Sequence, residues 1–592
     1  MERAATFLHK LPFGANLIGE GRVRFRLYAP AQQSVSLDLE DAPAPIAMQK
    51  LDGGWFQAEA QCGPGARYAY VLDDGKRVPD PASRTQAGDV HDRSIVVDPK
   101  SYSWLHADWR GRPWAETVLY ELHCGVLGGF RGVAQQLPRL AELGVTAIEL
   151  MPINAFPGQR NWGYDGVLPF APDTSYGSPD DLKALIDAAH GYGLMVFLDV
   201  VYNHFGPDGN YLTDYAPIMF RADSSSPWGP QIDFRLQAVR QFFRENALYW
   251  LMEYRFDGLR FDAVHEIGEP DWLDEVAAHI RAKIEPDRHV HLVLENEFNA
   301  ASHLHGGFDA QWNDDLHHVL HVLLTGESEG YYVDYVEDVA DKLARGLAQG
   351  FVYQGEASKH RDGKPRGEPS STLPPTAFVM SLQNHDQIGN RAFGDRLTTL
   401  SDPAALEAAT ALQLLAPHIP LIFMGEDVAS RTPFLFFTDH SSALADTVRE
   451  GRRREFTKFV AFRDPARREA IPDPNALSTF TMSAPQPDPQ RGPPRRDLYR
   501  RLLALRRAEI TPRLQGAQAL VASVVGPAAV VATWRMADGA ILAIAVNLGA
   551  DPIPFEAPRG RLLFESGAGA GAAMQEGHLL AHSTTAFLEP AL

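Results

Sequence analysis

Polar and apolar positions alternate with period two over the first hundred residues. Residues 22–28 (Arg-Val-Arg-Phe-Arg-Leu-Tyr) and 34–39 (Ser-Val-Ser-Leu-Asp-Leu) show the pattern most cleanly. Such alternation marks strands with one buried face. Gly-Pro-Gly at 63–65 and Asp-Asp-Gly at 73–75 punctuate the strands as turns. A small β-sandwich is expected over residues 1–100.

The pattern changes after about residue 115. Strand-like runs that are apolar on both faces now alternate with helical stretches. They fall at 118–123, 147–151, 195–201, 256–264, 290–297, 308–315, 378–386 and 420–426, with helices such as 180–192 and 238–254 between them. Continuous apolar strands alternating with helices imply a buried parallel sheet. Eight such units predict an α/β fold, a (β/α)8 TIM barrel over residues 101–511, with its active site at the carboxyl ends of the strands. An open doubly wound sheet is the alternative, but no Gly-rich phosphate fingerprint follows the first strand. The long segments 202–237 and 349–376 are candidate cleft walls. The Pro-rich stretch 471–494 reads as an exposed excursion, and 497–507 as a last barrel helix. Short β-runs resume over 512–592, where a small C-terminal β-domain is expected and the Gly/Ala-rich 567–573 reads as a loop.

The 592 residues exceed one hydrophobic core, which agrees with several domains. A formal charge of −20 argues against nucleic acid and anionic membrane as partners and is compatible with a neutral substrate. Two distant cysteines, Cys62 and Cys124, provide neither a disulfide framework nor a zinc-ligand spacing. No signal-peptide pattern and no apolar run of about 18 residues occurs, so a cytoplasmic protein without a membrane span is expected.

Three predicted strands end in an acid. These are Asp262 in Gly-Leu-Arg-Phe-Asp, Glu295 in Leu-Val-Leu-Glu and Asp386 in Leu-Gln-Asn-His-Asp. Two carboxyl groups at one point are the minimum for acid–base cleavage of a glycosidic bond. Arg260 lies two residues before Asp262 and therefore on the same face, where its guanidinium favours an ionised carboxylate suited to attack at a sugar C1. Glu295 ends a very apolar strand, and such surroundings suit a proton donor. His385 with Asp386 could grip sugar hydroxyls. Each acid alone reads more readily as a structural ion-pair residue; three on strands four, five and seven of one barrel read as a site. Trp162, Tyr164 and Asp165 follow strand two, and Asp199 and His204 close strand three, where aromatic faces and polar groups can hold sugar rings. Taken singly, Tyr164 could equally be core, and His204 a satisfied loop histidine.

The segments Asp199-Val-Val-Tyr-Asn-His204, Gly258-Leu-Arg-Phe-Asp262, the Glu295 strand and Asn384-His-Asp386 resemble, in order and in strand position, the four short motifs of the α-amylase superfamily over about residues 112–510. The resemblance implies a retaining mechanism, with Asp262 as nucleophile, Glu295 as general acid/base and Asp386 as transition-state stabiliser. It also implies that Arg260, His385, His204 and Tyr164 line the reacting subsite, with Asp199 and His265 as further substrate-binding candidates. Within that superfamily, 205–212, 227–230, 311–318, 323–332 and 382–391 are similar to the maltooligosyltrehalose trehalohydrolases, as is a sandwich ahead of the barrel. That similarity implies release of trehalose from maltooligosyltrehalose, substrate contacts from Asn313, Asp314 and Asp315, Trp228 as a ring platform, and functional coupling to the synthase that makes the substrate. The loop after strand one, 123–130, is shorter than that family's, which puts its substrate contacts in doubt. Asn203 occupies a position that holds calcium in many amylases; the resemblance to trehalohydrolases does not require the metal and no dense acidic calcium loop appears, so neither a metal nor another cofactor is expected here. A branching or debranching enzyme of the same superfamily is the nearer rival. An inactive carbohydrate-binding protein on the same fold is the remoter one, and it would need one of the three acids replaced.

Overall fold

The computed structural model describes residues 6–19, 21–226 and 229–591. Trp228 lies outside the described residues.

Two antiparallel sheets precede the barrel. One runs Gly14–Gly19, Arg22–Tyr28, Trp55–Gln61 and Gln49–Lys50; the other is built around Ser36–Leu39 and Arg67–Val71. The alternation of Arg22–Tyr28 buries Val23, Phe25 and Leu27 and leaves its arginines on the opposite face. Phe25 of the first sheet meets Tyr68 of the second with ring centroids 4.8 Å apart, which makes the pair a sandwich.

The barrel closes through eight parallel strands: Leu119–Leu122, Ala147–Leu150, Met195–Val200, Gly258–Phe261, His291–Leu294, Ala310–Trp312, Phe378–Ser381 and Ile419–Phe423. All eight sequence runs are present in the expected order, and each strand is shorter than its run. Their lower interior is packed by Leu119, Met195, Phe197, Val293, Trp312 and Ile419. Phe197 pairs in register with Gly258, where a Cβ would meet the phenyl ring at 2.1 Å, so strand four must begin on glycine. One step further along the same inward faces the interior turns polar. Glu121 pairs with Glu149, and Asp199 with Arg260. Period two therefore stacks Asp262 above Arg260 and Glu295 above Val293 at the carboxyl rim.

Both long segments carry structure. Residues 202–237 hold the helix Leu212–Tyr215 and the hairpin Phe220–Ser226 with Gly229–Ile232. The 349–376 segment holds the hairpin Glu356–Ala357 with Pro365–Arg366. The stretch 471–494 is not an exposed excursion: Ile471 packs with Ala392, Phe456 and Phe462, and the helix Leu477–Met482 is fixed through Ser483, whose hydroxyl accepts from the Leu435 N–H at 3.0 Å. The last barrel helix runs Gly492–Leu505. A five-stranded antiparallel sheet from Gln518 to Glu589 follows. The expected loop at 567–573 becomes the helix Ala570–Gln575, because Met574 is buried under the sheet with Leu579 and Phe587. No described helix is long and apolar enough to cross a membrane.

Candidate active site

The carboxyl ends of the strands open into a cleft of about 540 Å³ lined by Asp262, Glu295 and Asp386 together. Tyr164, His204, His265, His385 and Asp314 line the same space.

Arg260 organises the floor. It is fully buried and lies with its guanidinium carbon 4.2 Å from the centre of the Trp312 ring. One terminal nitrogen donates to Asp199 at 2.7 Å and to Asp262 at 2.8 Å, and the other pairs with Glu295 at 3.1 Å. Burial works against that charge, but the carboxylates around it, Asp199 and Glu295 foremost, outweigh the penalty and raise Arg260 well above its ordinary range. Asn203 completes the hold on Asp262. Its amide donates to the side-chain oxygen at 2.8 Å and to the backbone carbonyl at 2.9 Å. Ala263, the next residue, sits at φ 39°, in the left-handed region that costs a non-glycine residue energy. That bend turns its N–H onto Glu295 at 2.7 Å. Glu295 is thus gripped by a guanidinium and a backbone donor, not left in the apolar surroundings that its strand suggested.

Asp386 sits on a separate device. Asn384 caps the short helix His385–Gly389, accepting from the Asp386 and Gln387 N–H groups. Asn390 donates to Asp386 at 3.2 Å, and the His385 Nε2 lies 3.5 Å away. Beneath it, His385 Nδ1 contacts Glu121 of strand one at 2.5 Å, and its backbone N–H donates to the same carboxylate at 3.1 Å. Burial disfavours a charged imidazole, yet Asp386 and Glu121 overcome it and push His385 up to about 9. His385 is therefore an imidazolium at neutral pH, and its Nε2–H donates to the Tyr164 hydroxyl at 2.8 Å. Tyr164 passes its own proton toward Asp199 at 2.6 Å and stacks on His385 with centroids 5.1 Å apart.

Not every expected residue reaches the cleft. Asp199 lies below it, behind Tyr164 and Arg260, with its carboxyl pushed up to about 7 by burial, against the pull of Arg260. Asn313 caps the helix Asp314–Thr325 and donates to the Gly350 carbonyl at 2.8 Å. Asp315 is buried and structural in its contacts: Arg366 at 2.9 Å, the Tyr335 hydroxyl at 2.5 Å and the N–H groups of Val352 and Tyr353. Only Asp314 of that trio lines the cleft. His265 accepts from the Glu297 N–H at 3.2 Å and sits at the cleft's side. None of residues 124–130, after strand one, is among the lining residues; that segment makes the short 3-10 helix Gly125–Leu127 and then enters the helix Gly129–Ala134. Glu121 was not singled out from the sequence, although it follows Leu119 on the inward face of its strand, and Asn203 was noted only for its place in the calcium pattern of amylases, not as a partner of Asp262. Among the described residues, no group of three or more His, Cys, Asp or Glu side chains is placed to hold a metal ion.

The family model described as alpha amylase, catalytic domain, matches residues 88–218, and one described as a domain of unknown function, DUF3459, matches residues 517–586. A malto-oligosyltrehalose trehalohydrolase from Deinococcus radiodurans is 40% identical over 93% of this chain and 93% of its own length. The chain belongs to the maltooligosyltrehalose trehalohydrolase family. A trehalohydrolase from Saccharolobus solfataricus is also 40% identical, over 75% of this chain and 80% of its own. A crystal structure described as an alpha amylase from Salmonella typhimurium superposes on this trehalohydrolase-family chain with a TM-score of 0.92 at 44% identity, covering 98% of it and 100% of that chain. A 1,4-alpha-glucan branching enzyme from Vibrio parahaemolyticus is 34% identical over only 42% of this chain and 37% of its own.

Proposed function

We propose that this protein is a retaining glycoside hydrolase that cleaves the α-1,4-glucosidic bond next to the terminal trehalose unit of maltooligosyltrehalose and releases trehalose. The observation that carries the chemistry is the single Arg260 fork engaging Asp262 and Glu295 at 2.8 and 3.1 Å. Two carboxyl groups on adjacent arms of one guanidinium are held close, which supports the separation of about 5–5.5 Å that retention needs over the roughly 6.5–9.5 Å of inverting enzymes.

Glu295 donates its proton to the glycosidic oxygen while an oxygen of Asp262 attacks C1 from the opposite face. The C1–O bond breaks, trehalose leaves with the proton, and a glycosyl ester on Asp262 remains. Water then attacks C1, Glu295 takes its proton, and Asp262 departs as a carboxylate. Arg260 and Asn203 donate to Asp262 and hold it aimed. Asp386, kept next to the His385 cation, grips hydroxyls of the distorted ring, and its charge faces the oxocarbenium-like centre. Tyr164 and His204 line the subsite that holds that ring. The substrate needs a synthase that writes an α,α-1,1 bond at a glucan end, so the two activities are coupled in sequence. Cytoplasmic residence is consistent with two free cysteines, Cys62 and Cys124.

Purified protein incubated in parallel with maltooligosyltrehalose and with plain maltodextrin tests the reading. Trehalose released from the first supports it. Unchanged maltooligosyltrehalose beside new α-1,6 branches would replace it with the branching activity.

A further inference from the structure

Between strand eight and the last barrel helix the chain makes an excursion that the roles above leave unused. It holds the helix Ser442–Glu455 and the turns Phe456–Lys458 and Val460–Phe462. The excursion is tied to three separate parts of the cleft wall. Asp439, just ahead of the helix, accepts from the Arg160 guanidinium and from the Gln159 N–H at 2.9 Å, and His440 Nε2 lies 3.4 Å from Asp165. Val460 donates its N–H at 3.1 Å to Glu329, two residues before Tyr331. Asp165 and Tyr331 both line the cleft. The third tie is Arg452.

Arg452, Arg453 and Arg454 are consecutive, so the helix points them about 100° apart. Arg454 is exposed, and Arg453 reaches Glu450 at 3.3 Å. Arg452 turns inward, with its side chain only 8% exposed. Its guanidinium carbon lies 4.8 Å from the centre of the Phe456 ring and 5.4 Å from that of Phe436, which lines the cleft. One terminal nitrogen donates to the Gly389 carbonyl at 2.7 Å and to the Arg391 carbonyl at 3.1 Å. The carboxylate beside it, Glu455 at 3.6 Å, is half exposed.

Those carbonyls belong to the segment that carries Asp386. The helix His385–Gly389 has five residues, far below the roughly 12–15 that a helix needs to persist alone. Its ends must be fixed from outside. Asn384 caps the first turn. The carbonyls of the last turn are orphaned by the helix itself, and they face a cation, the charge that a helix C-terminus favours. Arg452 thus does at one end what Asn384 does at the other, and Asp386 is carried between them.

We propose that Arg452 is a positioning residue for the cleavage reaction. Bound to the carbonyls of Gly389 and Arg391, it sets where the Asp386 carboxylate stands, and residues 439–462 are through it part of the active-site frame. The proposal rests on the reading of Asp386 as the charge that faces the oxocarbenium-like centre. That charge acts most strongly when the ring is cationic, in the transition state. A misplaced Asp386 therefore costs turnover more than ground-state binding.

The test is kcat and KM for Arg452→Met, Arg452→Lys and Arg454→Met on whichever glucan the protein cleaves. Arg452→Met keeps an apolar stem against Phe436 and Phe456 and removes every donor. Its kcat should fall about 10²-fold, the cost of a displacement near 1 Å at a reacting group, with KM within about threefold. Arg452→Lys, a point charge that can serve one carbonyl, should stay about three- to tenfold below wild type. Arg454→Met removes the same charge from the exposed face and should leave both constants within about twofold. Arg452→Met placed on Asp386→Asn separates positioning from general support: it should cost less than about twofold there, because the group it positions has already lost its charge. A folded Arg452→Met with kcat within twofold of wild type, a loss carried by KM, or an equal loss in both backgrounds would overturn the proposal. Should Arg452→Met not fold, equal constants in Arg452→Lys and Arg454→Met would overturn it. An Asp386→Asn protein as active as wild type would instead overturn the reading of Asp386 on which the proposal rests.

Discussion

Gly389→Ala isolates the positioning of Asp386 from its chemistry. Gly389 ends the helix His385–Gly389, and a Cβ built on it would lie 2.0 Å from Trp162 Cζ2 and 2.2 Å from Cη2. Ordinary carbon contacts need about 3.5–4 Å, so one partner must move by roughly 1.5 Å. Trp162 has little room: its ring stacks on Phe434 at 5.3 Å, meets Phe436 at 5.2 Å and His385 at 5.7 Å, and its N–H donates to the Leu435 carbonyl at 2.9 Å. The helix that carries Asp386 must therefore give way. Gly389 has no positive φ, so alanine is not strained by the backbone itself, and helix propensity alone would favour it by about 1 kcal/mol. Overpacking of about 1–3 kcal/mol opposes that gain. A displacement near 1 Å at a reacting group costs about 10²-fold, so kcat/KM should fall by that order while near-ultraviolet circular dichroism still reports a folded protein. Shrinking the obstructing ring with Trp162→Leu in the same chain should recover part of the loss. Activity of Gly389→Ala within twofold of wild type would refute the claim that this contact fixes Asp386.

Three further outcomes follow from the same geometry. Asp262→Ala should abolish turnover and leave binding of long glucans largely intact in calorimetry; retained turnover would move the nucleophile elsewhere. Arg260→Met leaves Asp199 and Asp262 buried without their cation, a loss of about 3–5 kcal/mol that should lower the thermal unfolding midpoint by several degrees, and an unchanged midpoint would contradict the buried pairing. Burial disfavours the charge on Glu327, but two Arg391 bonds of 2.7 Å and His321 hold it down at about 2, against an ordinary 4.5. A depressed carboxyl stabilises the fold above its unfolded value and loses that contribution as pH falls from about 4.5 towards about 2, so wild type should lose more unfolding midpoint than Glu327→Gln between about pH 5 and about pH 3; parallel losses would refute the pairing.

The barrel was legible because its strands are buried on both faces and so read as unbroken apolar runs ending in acids. Period two then placed Arg260 under Asp262 without any coordinates. The partners that shape the site were harder to see. Glu121 reaches His385 across 264 positions of sequence, and Asn203 reaches Asp262 across 59. Such pairs exist only once the barrel closes. The run Asn313-Asp314-Asp315 shows another limit. At a helix start, successive side chains point about 100° apart, so three adjacent polar residues serve three different surroundings, and only one faces the cleft. The apolar strand before Glu295 suggested an apolar carboxyl, but that strand's side chains pack below the rim, and the rim is polar. Composition misled at 567–573, where a buried Met574 outweighs the glycines, and at 471–494, where Ile471 anchors a proline-rich stretch.

Proton NMR of maltooligosyltrehalose during the first turnovers tests the central claim most directly, because one spectrum reports both products. The account predicts free trehalose together with a shortened glucan whose new reducing end appears first as the α-anomer. A β-anomer appearing first would contradict retention by Asp262 and Glu295, and glucan shortening without free trehalose would contradict cleavage at the trehalose terminus.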